Sequence, residues 1–435
     1  MDQESLEQVI NLLAASIKWA WNENYRQSLN IYQESRCLED WKSFKKIVKT
    51  TKRAFFDTKI QEVTNKSRGP WELMNWVNKH KLLAMEAIKY DNQLYLSLDS
   101  LWNALHSFFN TVLYHQVNTN ILDEIGNKQT SIWALFSKEE FKIALESYNN
   151  LSTPGPDKLL WRHLKSIMND SDYITNVSKI ANVCIDLGYW PNHFKISFTV
   201  IIPKPNKPSY DSPKLFRPIV LLNTLGKLIE KVIGERLQFH MVNNNFIHPS
   251  QLGGLKFKST INTEVTLMHI IWLGWTRNCS TSTLAFDIAQ FFPFLNHQFL
   301  TRIIHKVGLD SQVIRFFNNY LIERKTSYQW NSFTSSIFNI NVGVGQGSAL
   351  SPILSALYLS PFLYILEKRL KNLKIPISII YFVDDGLFIS QDKSFDISNS
   401  RLFCSYYVIT NLLDKFSLIV EHLKTHILDY VFILF

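Results

Sequence analysis

Residues 377–389 read Ile-Ser-Ile-Ile-Tyr-Phe-Val-Asp-Asp-Gly-Leu-Phe-Ile, two adjacent carboxylates set between apolar runs. No other segment restricts the fold as much. Asp-Gly between apolar stretches predicts a β-hairpin, and a purely structural Asp-Gly turn is the plainest reading. The doubled acid, Asp384 and Asp385, is what that reading leaves over. Neighbouring carboxylates beside buried strands repel one another, and a bound cation relieves them. A second run, Leu284-Ala285-Phe286-Asp287-Ile288, also ends an apolar strand on a bare carboxylate, with Gln290-Phe291-Phe292-Pro293 following. Hard divalent ions such as Mg²⁺ take oxygen ligands, usually one or two carboxylates plus substrate phosphates. Two such ions about 4 Å apart activate an attacking hydroxyl and stabilise a leaving oxygen in phosphoryl transfer. Asp287 and Asp384, on neighbouring strands open to a groove, suit that requirement.

A third element, Val342-Gly343-Val344-Gly345-Gln346-Gly347-Ser348, leads through Ser351-Pro352 into an apolar helix from Ile353 to about Leu366. Alternating glycines let a backbone approach a ligand before a helix N-terminus. No Gly-Lys-Ser/Thr follows, so it is not a P-loop, and a plain loop-to-helix joint reads equally well. Residues 1–130 read mainly as helix. Lys42, Lys45, Lys46, Lys49, Lys52 and Arg53 recur there at three- and four-residue steps, beside Trp41, Phe44, Val48 and Phe55. That is either a solvated amphipathic face or a phosphate-contacting helix. Ser152-Thr153-Pro154-Gly155-Pro156-Asp157 is a firm loop. A helix then runs to Leu187, with Gly188 as its stop. A strand follows at 198–202, another after Arg217-Pro218, and a charged helix spans 223–243.

Composition adds the class of partner. The 435 residues carry 46 Lys+Arg against 37 Asp+Glu, a formal +9, which points to a polyanion such as nucleic acid. Hydrophobic residues make up 46%, enough for a large core, so global disorder is excluded. Four scattered cysteines offer no disulfide framework and fit a reducing compartment, nuclear or cytoplasmic. No stretch reaches the ~18 apolar residues of a membrane helix, and the acidic N-terminus does not read as a signal peptide.

Taken in order, these elements resemble the reverse-transcriptase domain of non-LTR (LINE-like) retrotransposons of fungal type, over roughly residues 150–426. Thr153-Pro154-Gly155-Pro156-Asp157 resembles the family's opening motif. Ile202-Pro203-Lys204-Pro205 and Phe216-Arg217-Pro218-Ile219-Val220-Leu221-Leu222-Asn223 are similar to its fingers motifs. Phe286-Asp287 with Phe291-Phe292 resembles motif A, and Gly345-Gln346-Gly347-Ser348 motif B. Phe382-Val383-Asp384-Asp385 resembles motif C, and Glu421-His422-Leu423-Lys424-Thr425 motif D.

The resemblance implies an α+β right-hand polymerase. A helical basic extension would span 1–130, fingers 131–280, and a palm 281–435 with an antiparallel sheet and packed helices. It implies RNA-templated transfer of a nucleotide from dNTP to a DNA primer, with two Mg²⁺ ions or Mn²⁺ in their place. Asp287 and Asp384 would hold both metals, Asp385 would contribute more weakly, and the Ile288 backbone carbonyl would complete one shell. Phe292 would gate against a ribose 2′-hydroxyl, unless it packs in the core, since Phe291 and Phe292 on a strand face opposite sides. Lys204 and Arg217 would clamp the triphosphate, Gln346 would touch nucleotide or template, and Lys424 would meet the leaving pyrophosphate. The 42–53 stripe would contact template RNA. The chain departs from the pattern after Lys424, where a primer grip and thumb are expected and an apolar tail, Tyr430 to Phe435, stands instead. No endonuclease is expected before residue 1, and no RNase H or zinc knuckle after 435. Lys158 stands where relatives carry a small or acidic residue. The competing expectation is an inactive remnant that binds nucleic acid; an intron maturase fits the fingers motifs less well.

Overall fold

The structure is a computed structural model. It describes residues 27, 28, 31, 34, 35, 37, 39, 40, 42–47, 49, 50 and 53, then 87–110, 119–205, 207, 209–330 and 333–430. The chain divides into two compact units, Met1–Ala84 and Met85–Phe435. In the first unit, residues 42–47 are helical, with Phe44 buried and Lys42, Lys45, Lys46, Lys49 and Arg53 exposed. Lys52, Trp41, Val48 and Phe55 of the expected stripe lie outside the described residues.

The second unit opens with a hairpin, β1 (Ile88–Tyr90) and β2 (Gln93–Tyr95), where helix was expected. Asp91 and Asn92 at its tip both take positive φ, 50° and 59°, the pattern of a type I′ turn. Helix α1 (Leu98–Phe109) follows, capped by the Ser97 side chain on the Ser100 N–H. Helices α2 (Lys138–Glu146), α3 (Trp161–Met168), α4 (Ser171–Leu187) and α5 (Asn192–Lys195) lead to β3 (Ile196–Pro203), β4 (Phe216–Leu222) and α6 (Thr224–Asn243). Next come α7 (Thr260–Thr276), β5 (Ser280–Asp287), the one-turn α8 (Phe291–Phe294), α9 (His297–Lys306) and α10 (Ser311–Leu321). Strands β6 (Arg324–Trp330), β7 (Phe333–Thr334) and β8 (Phe338–Ile340) precede the long α11 (Ser351–Asn372). Strands β9 (Ser378–Phe382) and β10 (Asp385–Asp392), α12 (Phe395–Lys415) and β11 (His426–Tyr430) complete the described chain.

Two sheets organise these elements. One is antiparallel, in the order β11-β5-β10-β9. Its strands alternate sides as a pleat requires. Phe388 joins the main core with Phe286, Tyr381 and the residues of α11 and α12, while Leu387 and Ile389 meet Leu267 and Ile270 of α7 on the other face. Each fully buried aromatic ring there contributes roughly 1.5–3 kcal/mol. The other sheet runs β4-β3-β6-β7 with β8 also on β6, and β3 pairs β6 in parallel. The boundary expected at 280/281 therefore falls between strands that share this sheet. Helix α1 and the β1–β2 hairpin pack on it through Leu101, Leu105, Phe108, Ile201, Phe216 and Tyr328.

The proline-rich loop before α3 acts as a cap supplied from a distance. Asn223 flanks α6 without capping it by its own side chain. Instead Asp157 accepts the Thr224 N–H at 2.7 Å, and the Asn223 side chain accepts the Asp157 N–H at 3.1 Å. The adjacent Lys158 sits at φ 54°, a left-handed conformation that favours glycine. Lys158→Gly is therefore expected to stabilise the chain by several tenths to about 1 kcal/mol, read by chemical denaturation. An unchanged or lower midpoint would contradict this.

Candidate active site

The hairpin of the doubled acid has a different tip from the one the sequence suggested. Asp385 pairs with Phe382, so Val383 and Asp384 form a two-residue turn, and Gly386 lies inside β10. Val383 alone carries the positive φ, 60°, as at the first position of a type II′ turn. A β-branched residue there is strained by roughly 1–3 kcal/mol. Gly386 serves packing: a Cβ would stand 2.6 Å from the Phe286 ring and 2.9 Å from that of Tyr381.

This register sets the carboxylates. Asp385 is the cross-strand partner of Asp287, and the Ile288 N–H donates to the Asp384 carbonyl at 3.3 Å. Burial pushes Asp384 up to about 6, helped by the charges of Asp287 and Asp385. Asp385 is raised as well, by burial and then by Asp287. Lys424 answers part of this repulsion through its ammonium, which donates to Asp287 Oδ2. Burial opposes the Lys424 charge, but the hydrogen bond and charge of Asp287 outweigh it and hold the lysine above its ordinary range. The Glu421 N–H donates to the Asp287 carbonyl at 2.8 Å, so the segment before β11 grips this aspartate twice.

The segment after Asp287 is not a strand. Gln290 takes φ 46°, and Phe291 to Phe294 form one helical turn. That turn, rather than strand alternation, sends Phe291 into the core and leaves Phe292 half-buried on the wall of a cleft of about 520 Å³. The same cleft is lined by Asp287, Ile288, Asp384, Asp385 and Lys424 and also by Lys204, Arg217 and Gln346. Lys204 is lowered from the ordinary lysine range by burial, then by the charges of Lys424 and Arg217. A second opening of about 480 Å³ is also lined by Asp287, Asp385 and Lys424, together with His426 and Thr263. Asp287 and Asp385 thus line both openings, and Asp384 the larger one.

Gln346 is held by a loop pinned to the neighbouring sheet. The Val220 N–H donates to the Gln346 carbonyl at 2.7 Å. Gly347, at φ 121°, would place a Cβ 2.4 Å from the Val220 carbonyl oxygen, so only glycine fits. Beneath the loop lies a carboxylate that sequence reading missed. Glu230 of α6 is 1% exposed and accepts from the Tyr320 hydroxyl at 2.9 Å, the Ser348 hydroxyl at 2.6 Å and the Ala349 N–H at 3.2 Å. Its signal was a lone acid inside Leu228-Ile229-Glu230-Lys231-Val232-Ile233. Lys214 and Glu421, which also line the cleft, were missed too; they pair at 3.9 Å.

The donor set suits a hard cation: carboxylates that burial, and then their neighbours' charge, raise at Asp384 and Asp385. Among the described residues, no three carboxylate, imidazole or thiol groups enclose an ion as they stand. An ion at Asp287 would take the place now held by the Lys424 ammonium.

A profile for the family "Reverse transcriptase (RNA-dependent DNA polymerase)" matches residues 202–432. The "Probable RNA-directed DNA polymerase from transposon X-element" of Drosophila melanogaster is 27% identical over 220 residues, 51% of this chain and 24% of that protein. The "Retrovirus-related Pol polyprotein from type-1 retrotransposable element R2" of Popillia japonica is 22% identical over 264 residues, 59% of this chain and 35% of that protein. A solved telomerase from Candida tropicalis, in complex with a fragment of telomeric RNA, aligns with a TM-score of 0.43 and 17% identity, covering 62% of this chain and 44% of that one. The chain spans about a quarter to a third of the length of these curated relatives.

Proposed function

Because this chain belongs to the reverse transcriptase family, with relatives among non-LTR retrotransposon polymerases, we propose that it copies an RNA template by joining dNTPs to a DNA primer. The observation that carries this reading is that Asp287, Asp384 and Asp385 line one cleft together with Lys204, Arg217 and Gln346. Two Mg²⁺ ions, or Mn²⁺, held by Asp287, Asp384, Asp385 and the Ile288 carbonyl, would supply charge neutralisation and a more acidic primer hydroxyl. The larger cleft takes the dNTP, and the second opening beside β5 and β10 takes the primer end. Lys204 and the exposed Arg217 draw the triphosphate to the wall facing the carboxylates, Arg217 by its bidentate fork. Gln346 meets the nucleotide or the templating base. Lys424, released from Asp287, is placed to neutralise the departing pyrophosphate. Residues 131–280 act as fingers and 281–435 as palm, and the basic face at Lys42, Lys45, Lys46, Lys49, Lys52 and Arg53 contacts template RNA. Catalysis on this reading is positioning and electrostatics, with little covalent work for the protein.

Primer extension on poly(rA)·oligo(dT) with dTTP and Mg²⁺ tests it. Incorporation is expected, and salt-sensitive binding without incorporation would fit a nucleic-acid-binding remnant instead. The half-buried Phe292 supports a steric gate. Phe292→Val is expected to raise ribonucleotide use relative to deoxynucleotide by about 10- to 100-fold, since one removed clash is worth about 1–3 kcal/mol. An unchanged ratio of the two kcat/KM values would remove Phe292 from that role.

A further inference from the structure

Behind the Gln346 loop lies a separate cavity of about 60 Å³, between the loop and the sheet that carries β4, β3 and β6. It shares Phe109, Pro218, Pro293 and Gln346 with the nucleotide cleft, so these residues form the wall between the two spaces. Arg324, the first residue of β6, is the one charged side chain among its described lining residues, and it is only 6% exposed. The guanidinium lies 4.6 Å from the Tyr320 ring centroid. Among the described residues no carboxylate pairs with it. Glu230, whose charge reaches it, is already committed to Tyr320, Ser348 and Ala349. The hydroxyls of Thr199 and Thr326, also in the lining, bond to each other at 2.9 Å.

A guanidinium has five donors in a planar fork, and the side-chain hydrogen bond with Tyr320 engages only part of that fork. Burial opposes the charge and Tyr320 and Glu230 answer it, which leaves the rest of the fork with donors for a ligand in the cavity. At ~10–15 Å³ for each water-sized group, the cavity has room for about four to six, enough for the oxygens around a phosphorus. We propose that this cavity binds a phosphate group on the Arg324 fork, and that the phosphate belongs to a nucleic-acid strand passing behind Gln346. The strand as source rests on the polymerase reading; the phosphate chemistry does not. A strand whose base lies against Gln346 has its neighbouring phosphates beside the shared wall, which is how the two spaces would be filled together.

Two probes separate the sources: inorganic phosphate, with chloride at equal ionic strength as control, and a 12-nucleotide oligo(rA). Inorganic phosphate is expected to raise the unfolding midpoint of the parent chain but not that of Arg324→Met. For oligo(rA), the plot of log affinity against log salt should be shallower in Arg324→Met by about 0.7, the loss of one single-strand phosphate contact. Equal phosphate response and equal slope in both proteins would overturn the proposal and leave Arg324 as a partner of Tyr320 and Glu230 within the fold. A lost phosphate response with an unchanged slope would keep the phosphate site and overturn the strand as its source. A parent chain that does not bind oligo(rA) would sink the polymerase reading, while the phosphate arm would still decide the cavity. Should Arg324→Met not fold, Ile340→Trp narrows the cavity and keeps the charge, and the same two readouts apply.

Discussion

Asp384→Asn protein is expected to extend a primer at least about a thousandfold more slowly than the parent, and yet to unfold at a higher temperature in chelator at pH 7. The loss follows from removing a carboxylate that stabilises charge in the transition state, where a single such group is worth about two to three powers of ten or more. The gain follows from the same group's surroundings. Burial and the charges of Asp287 and Asp385 raise Asp384 from an ordinary 3.8 to about 6. A carboxylate raised on folding holds its proton more tightly in the native chain. Its contribution to stability is therefore fully present below pH 4 and lost as pH rises through about 6. Above that window the ionised group costs on the order of 2–3 kcal/mol, at about 1.4 kcal/mol for each tenfold change in proton affinity. Asparagine keeps the shape and discards the charge. Melting the metal-free proteins between pH 4 and 7 should show the parent losing stability across pH 4–6.5 relative to the variant. Parallel profiles would mean that the carboxylates do not repel as the structure implies, and undiminished primer extension would remove Asp384 from the reaction.

Glu230→Ala should be the most destabilising single change near the site, by about 3–5 kcal/mol. It removes the acceptor of the Tyr320 and Ser348 hydroxyls, which keep only each other at 3.2 Å and the Leu350 N–H, strands the Ala349 N–H at about 1–3 kcal/mol, and withdraws the charge that reaches Arg324. Glu230→Gln keeps an acceptor oxygen and should cost about half as much. Because Ser348 stands two residues after Gln346, the glutamine variant is expected to raise KM for dNTP more than it lowers kcat. Denaturation and steady-state extension give the two readouts. An alanine variant as stable as the parent would show that the network is not what holds the loop.

The three aspartates were legible because a bare carboxylate at the end of an apolar strand is locally anomalous, and anomalies survive in a linear sequence. The hairpin's register was not. Asp-Gly is the favoured turn pair, and nothing local announces that Val383 will accept a positive φ; the pairing of Asp385 with Asp287 decides it. Phe292 was foreseen as a residue facing the nucleotide, but on a strand, because one helical turn of four residues has no period to read. The β1–β2 hairpin was hidden for a similar reason, its only marker being Asp91-Asn92. Glu230 looked like one more charge on a charged helix. Only packing from Tyr320 and Ser348, far away in the chain, turns it into a buried hub. Much of what stays invisible to sequence reading depends on partners some ninety or more residues distant.

The grip of Lys424 on Asp287 joins positions 137 residues apart. A ribosome adding about 5–20 residues per second leaves β5 without its outer neighbour for on the order of ten seconds after Asp287 has been made. During translation the growing chain therefore carries an unpaired strand edge ending in Asp287, the kind of surface that recruits another chain. Pairing of β11 covers that edge of β5, and the segment just before it brings Lys424 and Glu421 onto Asp287.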